Sequence, residues 1–231
     1  MNLRKFQTGC AVVACTLACV LACAEDGPET VGAGSRFSPL DIKKSATIVS
    51  TRGMFFSEKS GVERLVLSDW KPRTFQGVPF HLVDPQGDQV PNVIMLNGPQ
   101  GVIPPRMPRA VSVPCGQAAK SIHFLSGISG WGAKSPRERG PVTMLVRLHF
   151  EDSTTEDHSL YDGQHFADYI GRFDVPKSKF AFALRNQQVR YFAVHPGRPG
   201  KIDRIELIKG QDRSAPIVMA MTVEKNDRRE K

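Results

Sequence analysis

Two short stretches hold the residues whose types and spacing could do chemistry. The first, 148–163, reads LHFEDSTTEDHSLYDG and is the densest run of potential ligands in the chain. His149 and Glu151 stand two apart, so they share one face of an extended strand, and Asp152, Asp157 and Asp162 follow. Carboxylates among turn carbonyls are the donors that calcium accepts, which makes Asp152, Asp157 and Asp162 candidate ligands of a structural calcium. The same run also reads as a plain hairpin connection whose short side chains cap their own backbone. The second stretch, 121–135, reads SIHFLSGISGWGAKS: an alternating apolar strand that ends in a single indole between glycines. Trp131 is either a platform held out for a ligand or a plug closing the end of a core. Trp70, in SDWKPR, is a second candidate platform.

If the strands around 123 and 147 were neighbours, His123, Arg147 and His149 would form a polar face leading toward Trp131. An aromatic face ringed by planar donors and acceptors is what a sugar requires, the ring taking C–H groups and the polar side chains taking hydroxyls. Catalytic signatures are missing from the sequence. GISGWG at 127–132 departs from the hydrolase elbow at its final glycine, and neither HExxH nor a phosphate-binding GxxxxGK[ST] occurs. The expectation is a non-catalytic protein with no cofactor beyond the calcium just considered.

The first 24 residues read as a secretory leader: Arg4 and Lys5, then a short apolar run, then small residues before Glu25. Ala22-Cys23-Ala24 suits cleavage before Glu25, whereas Val20-Leu21-Ala22-Cys23 resembles a lipobox that would leave Cys23 lipidated. Either cut implies export to the periplasm, the outside or an anchored position on the envelope. Four of the five cysteines lie in this leader, so Cys115 remains alone and is expected to be buried and inert. The formal charge of +8 falls by two with the leader. The remaining basic residues are scattered and not interleaved with aromatics, which argues against nucleic acid as a partner. A membrane is expected only through an anchor at Cys23.

The elements that must position these residues show a period of two. Val142, Met144, Val146, Leu148 and Phe150 alternate with polar neighbours; Ile217, Met219, Met221 and Val223 repeat the pattern, with shorter versions at 65–67, 180–184 and 205–207. Turn sequences at 84–87, 97–99, 162–163 and 195–200 separate them, and 17 prolines leave little room for helix. Only GQHFADYIG, 163–171, could make a helical turn or two. An all-β antiparallel sandwich of about nine strands follows, with a jelly roll as the expected topology and one buried face per strand. The module spans 37–225, after a tether at 25–36 and before a charged tail at 226–231.

Three segments are more particular: TFQGVPFHLVDP with NVIML, VSVPCGQAAKSIHFLSGISGW, and MLVRLHFEDSTTEDHSLYDGQHFADYI. Together they resemble the NPCBM family of carbohydrate-binding modules, with the F-x-G-V-P-F entry on Phe75 to Phe80, the loop tryptophan on Trp131, the hairpin on His149 to Ser153 and a Gly…Asp-aromatic step on Gly163 with Asp168-Tyr169. Ser153 stands where that family commonly has glycine, and Tyr169 where tryptophan is commoner. The resemblance implies a galactose-binding-like sandwich and a glycan or polysaccharide as ligand. A cell-envelope structural protein that holds another envelope protein is the alternative.

Overall fold

The computed structural model describes residues 35–138 and 140–226. The leader, Cys23, most of the tether and the tail after 226 lie outside the described residues. Among the described residues the chain is all-β, with three single 3-10 turns as its only helical geometry. The strands are β1 (Phe37–Pro39), β2 (Arg73–Phe75), β3 (Val78–Phe80), β4 (Ile94–Met95), β5 (Ala110–Ser129), β6 (Val142–Phe150), β7 (Thr155–Tyr161), β8 (Lys179–Leu184), β9 (Gln187–Val194), β10 (Lys201–Lys209) and β11 (Ala215–Lys225). Nine pair into one continuous antiparallel network, and β2–β3 is a separate hairpin.

The long strand β5 makes the sandwich. Its first half pairs with β10, which leads on to β6 and β7. Its second half pairs with β11 on one side and β9 on the other, β9 carrying β8. Where β5 passes from one set of partners to the other, the register against β10 shifts around Cys115 and Gly116, and Gly116 takes φ +68. A bulge with a left-handed glycine is how one strand turns a corner between two sheets. Pro114 lies in the half of β5 that has a neighbour on one side only, where its missing N–H costs no ladder bond.

One apolar cluster fills the space between the sheets, with Ile122, Phe124 and Val223 meeting Val146, Leu148 and Leu207. Each such side chain contributes about 1.5–3 kcal/mol by leaving water. A second cluster covers the opposite face of the β5–β11 sheet: Leu125, Val189 and Ile217 pack against Met54, Leu65, Leu67 and Phe80 from the N-terminal segment. That sheet is therefore buried on both faces, which corrects the expectation of one buried face per strand. In β11 a register shift between Val218 and Ala220 divides the apolar series, sending Ile217 and Met219 to the second cluster and Met221 and Val223 to the first. Leu65 and Leu67 are buried without being in a strand, and 163–171 forms a turn and isolated bridges instead of helix.

The F-x-G-V-P-F stretch is the β2–β3 hairpin. Gln76 and Gly77, at φ +54 and +74, form its two-residue turn, a geometry that needs two left-handed residues.

Candidate ligand-binding cleft

Trp131 leaves the end of β5 in an uncommon conformation. Gly130 at φ +85 and Trp131 at φ +66 are both left-handed, which for a side chain the size of indole costs about 1–2 kcal/mol. Gly130 also lies against the Phe55 ring, and a Cβ on Gly132 would collide with the Ile128 side chain. The two glycines let the loop lie flat on the core while the indole points away from it, and Trp131 is 63% exposed. The loop is fastened from below: the Ala133 N–H donates to Asp162 Oδ1 at 2.8 Å, and Arg137 pairs with Asp162 Oδ2 at 3.2 Å. Burial pushes the Asp162 carboxyl above its usual range, while those same contacts pull the other way.

Trp131 therefore rims a cleft instead of sealing the core. Its ring meets Phe55 and Phe56 edge-on, at centroid distances of 6.4 and 6.3 Å. Phe56, Val62 and Ile170 are the other exposed apolar side chains at the opening, and the cavity they enclose holds about 200 Å³. That is below the roughly 300–1,000 Å³ of a drug-sized pocket and suits a single ring-sized group. Two acids stand in the wall. Glu63 is buried, its Oε2 accepting the N–H groups of Phe55 and Phe56 at 2.9 and 3.0 Å.

Asp168 is 6% exposed, on an extended segment that runs beside the end of β5, where its N–H donates to Ala133 O and the Tyr169 N–H to Ile128 O. One carboxylate oxygen of Asp168 accepts the Ile170 N–H at 2.9 Å, and no ion pair reaches it among the described residues. Burial pushes this carboxyl above the usual carboxylate range; the Ile170 N–H and the more distant Lys134 pull it back only in part. Tyr169, buried beneath, donates its hydroxyl to Glu63 O, and burial raises its phenol.

The other residues expected to line this site are elsewhere. β10 lies between β5 and β6, so His123 is not a neighbour of Arg147 and His149. The Arg147 guanidinium donates twice to Asp157, at 2.7 and 2.8 Å, on the outer face of the β6–β7 sheet. His149 bridges Glu206 Oε2 at 2.9 Å and Arg204 Nη2 at 3.0 Å. Trp70 is half-buried against the second apolar cluster and does not line the cleft.

His123 is buried beneath the N-terminal segment, where its Nδ1 meets the Tyr191 hydroxyl at 2.8 Å and its Nε2 lies 3.4 Å from Glu224. Burial lowers its imidazole below the usual value, with Glu224 opposing. Around Glu224 gather Arg36, Lys120 at 3.0 Å and Ser121. Burial alone would raise the Glu224 carboxyl, but those hydrogen bonds outweigh it and hold the group at about 2.

The candidate calcium ligands are likewise dispersed. Asp152 caps the β6–β7 turn through the Thr154 N–H and pairs with Arg198, Asp157 faces Arg147, and Asp162 faces Arg137 and the Trp131 loop. Among the described residues no three acidic, His or Cys side chains are grouped to share a metal. Ser153, at φ +66 in that turn, occupies a backbone position that favours glycine. Cys115 is half-buried; burial pushes its thiol up to about 11, so it is a poor nucleophile.

The sequence matches no protein-family model and no curated protein. What fold and cleft define, among the described residues, is an all-β protein with an aromatic-rimmed, acid-walled recess at the end of its longest strand.

Proposed function

We propose that this protein is a non-catalytic, exported binding module that holds carbohydrate in the cleft beside Trp131. One observation carries the reading: a large indole kept exposed, at a conformational cost, over a recess walled by Asp168, Glu63 and Lys134. A sugar offers C–H groups to an aromatic face and hydroxyls to such polar neighbours. Glycoside hydrolysis requires two working carboxyls, and Glu63 is occupied in holding the backbone of Phe55 and Phe56, which favours binding over turnover. The jelly-roll topology, the likeness to the NPCBM modules and export through the N-terminal leader belong to the same reading. Affinity in the millimolar to micromolar range, about −4 to −8 kcal/mol, is what one small recess supplies.

A glycan-array screen of wild type beside Trp131→Ala, with thermal melts of both, tests it. Selective binding that vanishes in a variant with a normal melt supports the module; binding indifferent to Trp131 removes the cleft from the account. The exposed side chains of Phe56, Val62 and Ile170 around Trp131 favour one second reading, a cell-envelope structural or interaction protein, lipid-anchored at Cys23, that docks a protein there. Recovery of one partner from membranes, with no glycan retained, selects that alternative.

A further inference from the structure

Resting on the carbohydrate reading, we infer that the cleft selects a sugar bearing a free, protonated amine, its ammonium seated against Asp168 beneath the Trp131 ring. The other buried acids have their charge answered: Glu224 by Arg36 and Lys120, Asp162 by Arg137, Asp212 by Lys209, and Glu63, in the same cleft wall, by the two N–H groups of Phe55 and Phe56 in place of a cation. Asp168 is as buried as these, accepts a single N–H, that of Ile170, and forms no ion pair among the described residues, Lys134 acting on it only from a distance. A buried carboxylate without a counter-charge costs stability, so a position that keeps one at the wall of an open cleft is suited to a cation brought from outside.

The surroundings fit the same ligand. Aromatic rings attract ammonium groups through their faces. The cleft wall carries two carboxyls against one ammonium, that of Lys134, whose Nζ lies 5.9 Å over the Phe173 ring. A neutral sugar would leave Asp168 unanswered, and an acidic one would be repelled by it. The chain as a whole is basic, formally +8, so an amine is not drawn to its surface at large. Affinity for such a ligand therefore reports this site.

The test is calorimetric titration of the full-length protein, at low salt and about pH 6, where a sugar amine is protonated. Three short oligosaccharides that differ only at one position serve as probes: the glucosamine oligomer, its N-acetylated form and the glucose oligomer. The amine form is expected to bind at least about tenfold tighter than the other two, a difference of about 1.4 kcal/mol. That preference should fall to within about twofold in Asp168→Asn and shrink as salt is added. Lys134→Gln, at an exposed side chain, should move it the other way and tighten amine binding about two- to threefold.

Equal binding of all three sugars, dependent on Trp131, overturns the amine preference and leaves the carbohydrate reading standing. Amine binding unchanged in both Asp168→Asn and Lys134→Gln overturns it as well. If none of the three binds, the amine inference falls, and the carbohydrate reading falls with it only if the glycan array is also blank.

Discussion

Glu224 and Asp168 are both buried carboxylates close to aromatic rings, yet their surroundings are opposite. Glu224 lies where β1, β5 and β11 meet, and two cations, a serine and His123 close around it. Asp168 lies past the other end of β5 with a single backbone N–H and an open cleft. One carboxyl is held at about 2, and the other is pushed upward. The difference separates a scaffold charge from a site charge. Electrostatics at Glu224 fastens the edge strand to the sheet, while at Asp168 the fold tolerates the cost of a buried carboxyl without an ion pair, which on the proposed reading a ligand's ammonium offsets.

The largest expected effect breaks the first half of this comparison. Glu224→Gln should lower unfolding free energy by about 2 kcal/mol in a urea titration, the half-exposed cations being partly screened. A neutral result would mean that the cluster is ornamental and that its contrast with Asp168 teaches nothing.

Next in size, Trp131→Ala should weaken glycan binding tenfold or more while stability changes by no more than about 1 kcal/mol. Trp131→Gly should melt higher than Trp131→Ala, because glycine takes the left-handed backbone without strain. A collapse of the melting point in both variants would return Trp131 to the role of plug.

Asp168→Asn should stabilise the protein by about 1 kcal/mol near neutral pH, even as it impairs binding. The sign follows from the raised carboxyl: ionisation in the fold is disfavoured, so the wild type loses stability as pH rises from the unfolded value of 3.8 through the folded one. Below that range the variant and wild type should converge.

The smallest effect is a difference in pH profiles. Glu224, lowered in the fold, stabilises above its unfolded value of 4.5, and that contribution is lost as pH falls from there toward about 2. Acid melts of wild type should show a slope in this window that Glu224→Gln lacks. Parallel profiles would show that the cations are not bound to Glu224 in solution.

How much of this was legible along the chain differs by element. β6 falls on the alternating run from Val142 to Phe150, because one face of that strand meets the core and the other meets solvent. The second half of β5 and β11 were also found by their alternation, but the reading gave each one buried face, whereas both faces are covered in the fold. Leu65 and Leu67 imitate a strand because they too point inward, but from an irregular layer. Within the cleft Trp131 stood out in advance as a candidate platform, through the glycines on either side, while Asp168 and Tyr169 were marked only by the family resemblance and without a role in a site. Asp168, Glu63 and Phe56 carry no local signal as partners, because they come from segments about forty to a hundred residues apart in sequence.

By itself, the sequence determined the all-β class, the turn positions and a loop in place of a strand at Gly130 to Gly132, since these depend on side-chain period and on backbone freedom within a few residues. Tertiary structure decided which acids have partners. It put β10 between β5 and β6, parting His123 from Arg147 and His149, and it gave each candidate calcium ligand its own arginine. It also turned Asp162 from a supposed ligand into the anchor of the Trp131 loop. Charge and burial are properties of what surrounds a residue in space, and strand order sets those surroundings.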